Sequence, residues 1–297
     1  MLTTCKGGDS INSIISRIIH GVMRIKDCAY TTDELLNFVY KLIDIGVTTF
    51  DLADIYGDYE AQEIFGKILE KDRFLRNKIQ LISKAGIVLL SEKHPDVYVK
   101  HYDTSKKHII SSVEKTLKDL HTNYLDVLLI HRPDPLMDPD EINEAFELLK
   151  EKGMVLNFGV SNFSVHHMAL FRRTVKQPIM FNQIEISPLH VDSLFDGTLD
   201  FCMENNIIPM AWSPVAGGRV FKEKEVLKVL ENVAKNHNTT IEHVIYAWLY
   251  MHPSKIHPVV GSGKFERIKA AVEALKLKLE RQEWFYILKV SRGFDVP

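Results

Sequence analysis

Short β-branched and apolar runs alternate along this chain with longer stretches in which apolar residues recur every three to four positions. The short runs read as strands, because Val, Ile, Thr and aromatic side chains suit a pleated interior that is buried on both faces. They are RIIH (17–20), VTTFDLA (47–53), KIQLISKA (78–85), YLDVLLIH (124–131), LNFGVS (156–161), IMFNQIE (179–185), IIPMAWSP (207–214) and IHPVVGSG (256–263). The longer stretches read as helices: Thr32 to Ile45, Glu60 to Glu70, Ser105 to Leu120, Pro139 to Glu151, His166 to Val175, Ser193 to Asn205 and Lys264 to Lys276. An alternation of β and α units with about eight strands predicts an α/β fold, a (β/α)8 TIM barrel with its strands parallel and its helices outside. An open doubly wound sheet would need a point where strand order reverses, and none can be located.

Two segments exceed the repeating unit. The stretch from Glu223 to His252 is long enough for two helices, with Asn238 to Thr240 as break and cap. The segment from Glu280 to Pro297 reads as an added helix and an apolar tail. Extra helices are therefore expected after the seventh strand and at the C-terminus. No linker-like run and no finer internal repeat divides the chain, so 1–297 reads as one domain.

Composition narrows the class. Hydrophobic residues make up 45% of the 297, enough for a sizeable core, and the formal charge of −2 gives no electrostatic footprint for nucleic acid or an anionic membrane. The partner is expected to be a small molecule, with the chain itself a monomer or small homo-oligomer. The 3 cysteines, Cys5, Cys28 and Cys202, show no paired short spacing, which fits a reducing compartment. The first 20 residues lack the apolar core of a signal peptide, and no run approaches a membrane span. A cytoplasmic location is the expectation.

The predicted register puts polar residues at one rim of the barrel. Asp51, Lys84, His131, Ser161, Asn162, Gln183, Glu185 and Trp212 all fall at carboxyl ends of strands, where barrel enzymes keep their active sites. Singly, each has a plain structural explanation: Asp51 can cap, Lys84 can neutralise it, and His131 can bond to backbone. Together with Tyr56 they are chemically complementary. A phenol near its ordinary pKa of about 10 is a poor acid at neutral pH. An adjacent ammonium favours the phenolate, and a carboxylate can hold that ammonium in place. A neutral imidazole can donate to a carbonyl oxygen placed beside the phenol. Tyr56, Lys84, Asp51 and His131 thus describe a site that protonates a carbonyl oxygen while something else attacks its carbon.

The ordered segments FDLADIYGDYE, LISKAGI, LLIHRPDP, FGVSNF, NQIEISPLH, AWSPVAGGR and GSGKFERI resemble the aldo-keto reductase superfamily from about Arg17 to the C-terminus. Within it, DIYGDYE, IHRPDPLMD and the closing GFDVP are most similar to bacterial oxidoreductases of the YdhF type. The resemblance implies a barrel that binds NADP(H) and reduces aldehydes or ketones. Asp51, Tyr56, Lys84 and His131 match its catalytic tetrad, with Tyr56 as general acid. Ser161, Asn162 and Gln183 match residues that hold the nicotinamide carboxamide, and Trp212 stands where an aromatic stacks on the ring. Gly21, Met23 and Arg24 lie near the nicotinamide side. The loop Ser213, Pro214, Val215, Ala216, Gly217, Gly218, Arg219 matches the pyrophosphate loop, and Ser262, Lys264 and Arg267 match residues that grip the adenosine 2′-phosphate.

Two departures stand out. Ala270 and Ala271 replace an acid and an amide that meet adenine in some members, and Met23 replaces a bulky aromatic. Pocket walls are expected from the loop between Ala85 and Ser105 and from the tail. There, Tyr98, Tyr102, His94 and Phe294 either line the pocket or anchor the loops.

Rival motifs fail. GSGKFE lacks the third glycine of a dinucleotide fingerprint and the Ser or Thr of a Walker loop, and the 13 histidines include no H-E-x-x-H, so no metal is expected. A different functional class stays open: some proteins of this fold bind the nucleotide chiefly to regulate a partner, as potassium-channel β-subunits do.

Overall fold

The computed structural model describes residues 14–297. The absence of a signal-peptide core, read above from the first 20 residues, and Cys5 lie largely outside them. Eight parallel strands close into a barrel. In chain order they are β1 (Ile19–Gly21), β2 (Thr49–Asp51), β3 (Gln80–Ala85), β4 (Leu125–Ile130), β5 (Val155–Ser161), β6 (Ile179–Glu185), β7 (Ile208–Trp212) and β8 (His257–Val260). Each pairs with its neighbour in sequence, and β8 closes on β1 through Ile19 opposite Val259. The fold is the (β/α)8 barrel that the alternation predicts.

The surrounding helices are α1 (Thr32–Asp44), α2 (Ala61–Lys71), α3 (Lys106–Asp119), α4 (Pro139–Glu151), α5 (Val165–Thr174), α6 (Thr198–Glu204), α7 (Lys224–Asn236), α8 (Ile241–Tyr250), α9 (Phe265–Glu273) and α10 (Arg281–Arg292). Local chemistry starts many of them. The side chains of Thr31, Ser105, Asp138, Ser164 and Thr240 each accept a hydrogen bond from a backbone N–H of the first turn they precede. The pair α7 and α8 and the terminal α10 are the extra helices. Trp248 of α8 and Trp284 of α10 stack 5.4 Å apart, and each indole N–H donates to the other residue's carbonyl.

Two helices differ from expectation. The stretch from Ser193 to Asn205 breaks into a 3-10 turn, Asp192–Leu194, and α6, because Gly197 takes a left-handed φ of 84° between them. The helix predicted over Lys264 to Lys276 ends at Glu273 and tightens into a 3-10 turn, Ala274–Lys276. A small antiparallel ribbon, Ile87–Val88 with His101–Tyr102, not predicted from the strand pattern, orders part of the loop after β3.

Strand periodicity positions the site. Side chains alternate faces, so residues two apart along a strand point the same way. Ile82, Leu129, Phe181 and Met210 belong to a cluster packed inside the barrel. Two residues further along the same strands come Lys84, His131, Gln183 and Trp212. Close packing in this interior requires Gly159: a Cβ there would lie 2.6 Å from Leu129 Cδ2 and 2.8 Å from the Phe181 carbonyl oxygen. Among the described residues no helix is long and apolar enough to cross a membrane.

Candidate active site

At the carboxyl end of the barrel, Lys84 Nζ donates to Asp51 Oδ2 at 2.7 Å, to the Leu52 carbonyl at 2.8 Å and to Tyr56 Oη at 3.0 Å. These three oxygens use all three ammonium hydrogens. Gln183 Nε2 donates to the other carboxylate oxygen of Asp51 at 2.8 Å. The His131 ring stands edge-on to Tyr56, with centroids 5.9 Å apart. The structure therefore brings Asp51, Tyr56, Lys84 and His131 together, from the ends of β2, β3 and β4 and from the turn after β2.

That turn explains the opening of the YGDY segment. Gly57, Asp58 and Tyr59 all have left-handed φ, 59°, 56° and 64°, so the chain reverses sharply just after Tyr56 and returns into α2. Asp54 N–H donates to the Lys84 carbonyl at 3.3 Å, which ties the turn to β3.

Burial sets the protonation states. Burial disfavours the Lys84 ammonium, but Asp51 and Tyr56 outweigh it and hold its pKa above the ordinary value. Burial likewise raises the Tyr56 pKa, and the opposing pull of Lys84 does not cancel it. Here the structure departs from sequence reasoning, in which the ammonium alone set the direction. His131 lies well below its ordinary range, through burial first and the nearby Lys84 and Arg132 charges second, so it is neutral at pH 7. Its Nδ1 is buried without a hydrogen-bond partner among the described residues.

Two groups were not assigned a role by sequence reasoning. Asp54 is pushed up to about 7 by burial; Ser112 of α3 donates to its Oδ2 at 2.7 Å, while Oδ1 is buried without a partner. Its place between Asp51 and Tyr56 is visible in the sequence, but its burial is not. Arg132 follows His131 and stands over the Trp212 ring, 5.6 Å from its centre.

The residues expected around a cofactor fall on the same rim. Asn162, in a left-handed conformation, donates to Ser161 Oγ at 2.8 Å and accepts from Trp212 Nε1 at 3.0 Å. Ser161 Oγ donates in turn to the Gln183 carbonyl at 2.9 Å. After β7, Ser213 and Ala216 have positive φ, as do Gly217 and Gly218, and a Cβ on either glycine would meet nothing within 4 Å. The loop from Ser213 through Pro214 and Val215 to Arg219 is therefore turned back on itself with its glycine backbone open. Within it the Ala216 N–H donates to the Ser213 carbonyl at 2.7 Å and the Gly218 N–H to the Val215 carbonyl at 2.8 Å, and these two bonds hold the turn in shape.

At β1, Gly21 is buried and Met23 is 52% exposed. Arg24 donates to the Gly261 carbonyl at 2.7 Å, so it ties the β1 loop to the β8 loop. Ser262 Oγ accepts from Lys264 N–H at 3.1 Å just before α9, while the Lys264 and Arg267 side chains are exposed. Ala270 and Ala271 are buried against the barrel. Of the loop residues considered as pocket walls, His94 packs against Tyr59 at 4.5 Å, Tyr102 lies in the ribbon, Tyr98 is 91% exposed, and Phe294 stacks on Arg292 at 4.2 Å. No group of three or more His, Cys, Asp or Glu residues that could hold a metal ion occurs among the described residues.

Comparison with known proteins places this geometry. The Aldo/keto reductase family pattern matches residues 17–292. The uncharacterized oxidoreductase YcsN of Bacillus subtilis is 47% identical over 95% of this chain and 96% of its own. Oxidoreductase YdhF of Escherichia coli is 44% identical over 95% of each. A 6-dehydroglucose reductase of Agrobacterium fabrum is 39% identical over 95% and 96%. Among solved structures, the thermostable aldo-keto reductase Tm1743, crystallised with the inhibitor epalrestat, superposes with a TM-score of 0.79 at 26% identity, covering 98% of this chain and 100% of that one.

Proposed function

The chain belongs to the aldo/keto reductase family and is an oxidoreductase of that family, and from that premise we propose that it is an NADPH-dependent reductase of aldehydes and ketones, acting as a single catalytic unit on small molecules. The observation that carries this reading is the Lys84 ammonium bonded at once to Asp51 and Tyr56. The relative named as a 6-dehydroglucose reductase supports a carbonyl substrate.

The residues fit the nucleotide. The open glycine turn at Gly217 and Gly218 suits a pyrophosphate, since no side chain blocks approach to the backbone. Ser262, Lys264 and Arg267, at the N-terminus of α9, suit the adenosine 2′-phosphate. Trp212, Asn162, Ser161 and Gln183 would hold the nicotinamide end, with Gly21, Met23 and Arg24 beside it. When bound, NADPH supplies the hydride for the carbonyl carbon.

Every other part of the step belongs to the chain. Tyr56 keeps its proton at neutral pH because burial raises its pKa, and it gives that proton to the carbonyl oxygen as negative charge develops there. Lys84, 3.0 Å away, stabilises the phenolate left behind, and Asp51 fixes Lys84 in place. His131 is neutral and polarises the carbonyl oxygen as an N–H donor. The tautomer with hydrogen on Nε2 leaves only an acceptor, Nδ1, unpaired in the interior, which costs less than an orphaned N–H. In the reverse direction Tyr56 acts as base.

Tyr56→Phe keeps the ring and removes the proton. It should bind NADPH as the wild type does while kcat for an aldehyde falls by about 10² or more. Near-native turnover in this variant would reject the assignment. Slow wild-type turnover with cofactor retained through purification would favour a nucleotide-binding regulatory subunit.

A further inference from the structure

The turn that carries Tyr56 is gripped twice by one residue. Lys84 Nζ donates to the Leu52 carbonyl at 2.8 Å, and the Lys84 carbonyl accepts from the Asp54 N–H at 3.3 Å. Inside the turn the Tyr56 N–H donates to the Ala53 carbonyl at 3.2 Å. The Asp54 side chain then fastens the turn to α3, where Ser112 donates to Oδ2 at 2.7 Å. Ser112 belongs to a polar stripe, His108, Ser112 and Thr116, spaced by four positions along one helix face. Thr116 donates to Gln62 Oε1 at 3.1 Å and Gln62 Nε2 to Ser83 Oγ at 2.7 Å, so buried polar groups lead from the stripe back to the neighbour of Lys84. Asp54 Oδ1 is nevertheless buried without a partner among the described residues. An acid kept only to join the turn to α3 would bond through both oxygens, and a buried atom left unpaired points to a use other than packing.

We propose that Asp54 is a positioning residue of the reductase: with its carboxyl neutral it seats the Tyr56 turn against Lys84, and when ionised it draws on the Lys84 charge that the Tyr56 phenolate needs and slows proton transfer. The proposal rests on the carbonyl-reductase reading and adds control by pH to it. Asp54 takes no proton from the substrate; the proton still passes from Tyr56 to the carbonyl oxygen. All three ammonium hydrogens of Lys84 are already bonded, so a carboxylate at Asp54 acts through its charge. The Lys84 charge acts on Asp54, and by linkage the Asp54 charge acts on Lys84. A second anion near the place where the phenolate forms opposes that charge as it develops. The other titratable groups set about Asp54 are Tyr59 of its own turn and, on α3 one turn before Ser112, His108, which stands 3.7 Å from Asp103 and feels His94 and His101. Tyr56 and Lys84 are held above their ordinary values and His131 well below its own, so none of these three changes charge near neutrality. Asp54, pushed up to about 7, does. Reduction should therefore be fastest below pH 7 and slower above it.

The test is single-turnover oxidation of bound NADPH by the fastest of benzaldehyde, butanal and D-glyceraldehyde, followed by stopped-flow absorbance across neutral pH. The wild-type rate should fall about threefold or more with a midpoint near 7, the scale of one added charge beside the reacting pair. Asp54→Asn cannot ionise and should show no such fall, whatever its absolute rate. Ser112→Ala removes a donor that favours the carboxylate and should move the midpoint to higher pH, whereas His108→Gln should keep the fall. A flat wild-type rate overturns the proposal, as does a fall that persists in Asp54→Asn, or one that is lost only in His108→Gln. Should the wild type oxidise NADPH with none of the three aldehydes, the carbonyl-reductase reading fails by itself. The tie between Asp54 and Lys84 is then judged by carbon-13 NMR of the Asp54 carboxyl in the wild type and in Lys84→Met, or Lys84→Gln should the first not fold. A titration displaced to higher pH in the variant upholds the tie, and identical titrations refute it.

Discussion

With 1% of its surface exposed, Lys84 keeps its charge because Asp51, Leu52 and Tyr56 each accept one of its hydrogens within 3.0 Å. A buried ion pair gives little net stability, but removing one partner leaves an uncompensated charge, so both residues are held in place by what the other would cost alone. Asp54, three positions from Asp51, has no such partner. Its carboxyl is pushed from 3.8 up to about 7 by burial, with Ser112 and Lys84 opposing the shift only in part. The folded protein therefore holds a proton that the unfolded chain releases, and stability falls as pH rises between those two values, with the whole penalty present above pH 7. Asp54→Asn keeps the shape and an acceptor for Ser112 but cannot ionise. Its Tm should exceed that of the wild type at pH 8, and the gain should shrink as the pH is lowered to 5; a pH-independent difference would mean that Asp54 is not protonated in the fold. The sequence marks this residue by position only. Its side-chain hydrogen-bond partner, Ser112, lies 58 residues away on α3.

At the scale of elements, α9 shows how a helix start becomes a candidate phosphate site. Lys264 is its N-cap and Arg267 sits in its first turn, both exposed, with the Ser262 hydroxyl folded back onto the Lys264 N–H. The free N–H groups and dipole of the terminus add to the two cations. Arg267→Ala should weaken NADPH binding by about 1.5–3 kcal/mol while leaving NADH nearly unchanged, and the gap should narrow as salt rises. Quenching of tryptophan fluorescence measures both affinities; equal losses would mean that Arg267 does not read the 2′-phosphate. Helix starts of this kind are legible in sequence because a cap and its first turn are neighbours along the chain. Helix packing is less so: Gly66 of α2 tolerates no Cβ, which would lie 1.9 Å from the Asp119 carbonyl oxygen at the end of α3, and only the contact between the two helices reveals it.

For the molecule as a whole, the residues assigned to the nucleotide come from β1, β5, β6, β7 and β8, a set that spans the seam where β8 closes on β1. A ligand bridging that seam binds only the closed barrel and stabilises it by mass action. NADPH at 100 times its Kd should add about 2.7 kcal/mol, which for a chain of this size raises Tm by roughly 5 °C. NADH at the same concentration should raise it less, and calorimetry or a dye-based melt reads the difference; no shift with NADPH would remove the nucleotide from the account. The likeness to YdhF-type proteins, read from ordered motifs, holds over 95% of the chain at 44% identity. By itself the sequence determined the β/α alternation, many of the helix caps and the set of polar strand ends, because each depends on a period or a spacing within a few residues. The tertiary structure alone decided that Gln183 reaches Asp51 across 132 positions, that burial overrides Lys84 in raising the Tyr56 pKa, and that Arg132, Ser193 and Trp212 share one cavity. Desolvation and long-range contact are properties of what packs around a group, and barrel closure brings together strands that lie far apart along the chain.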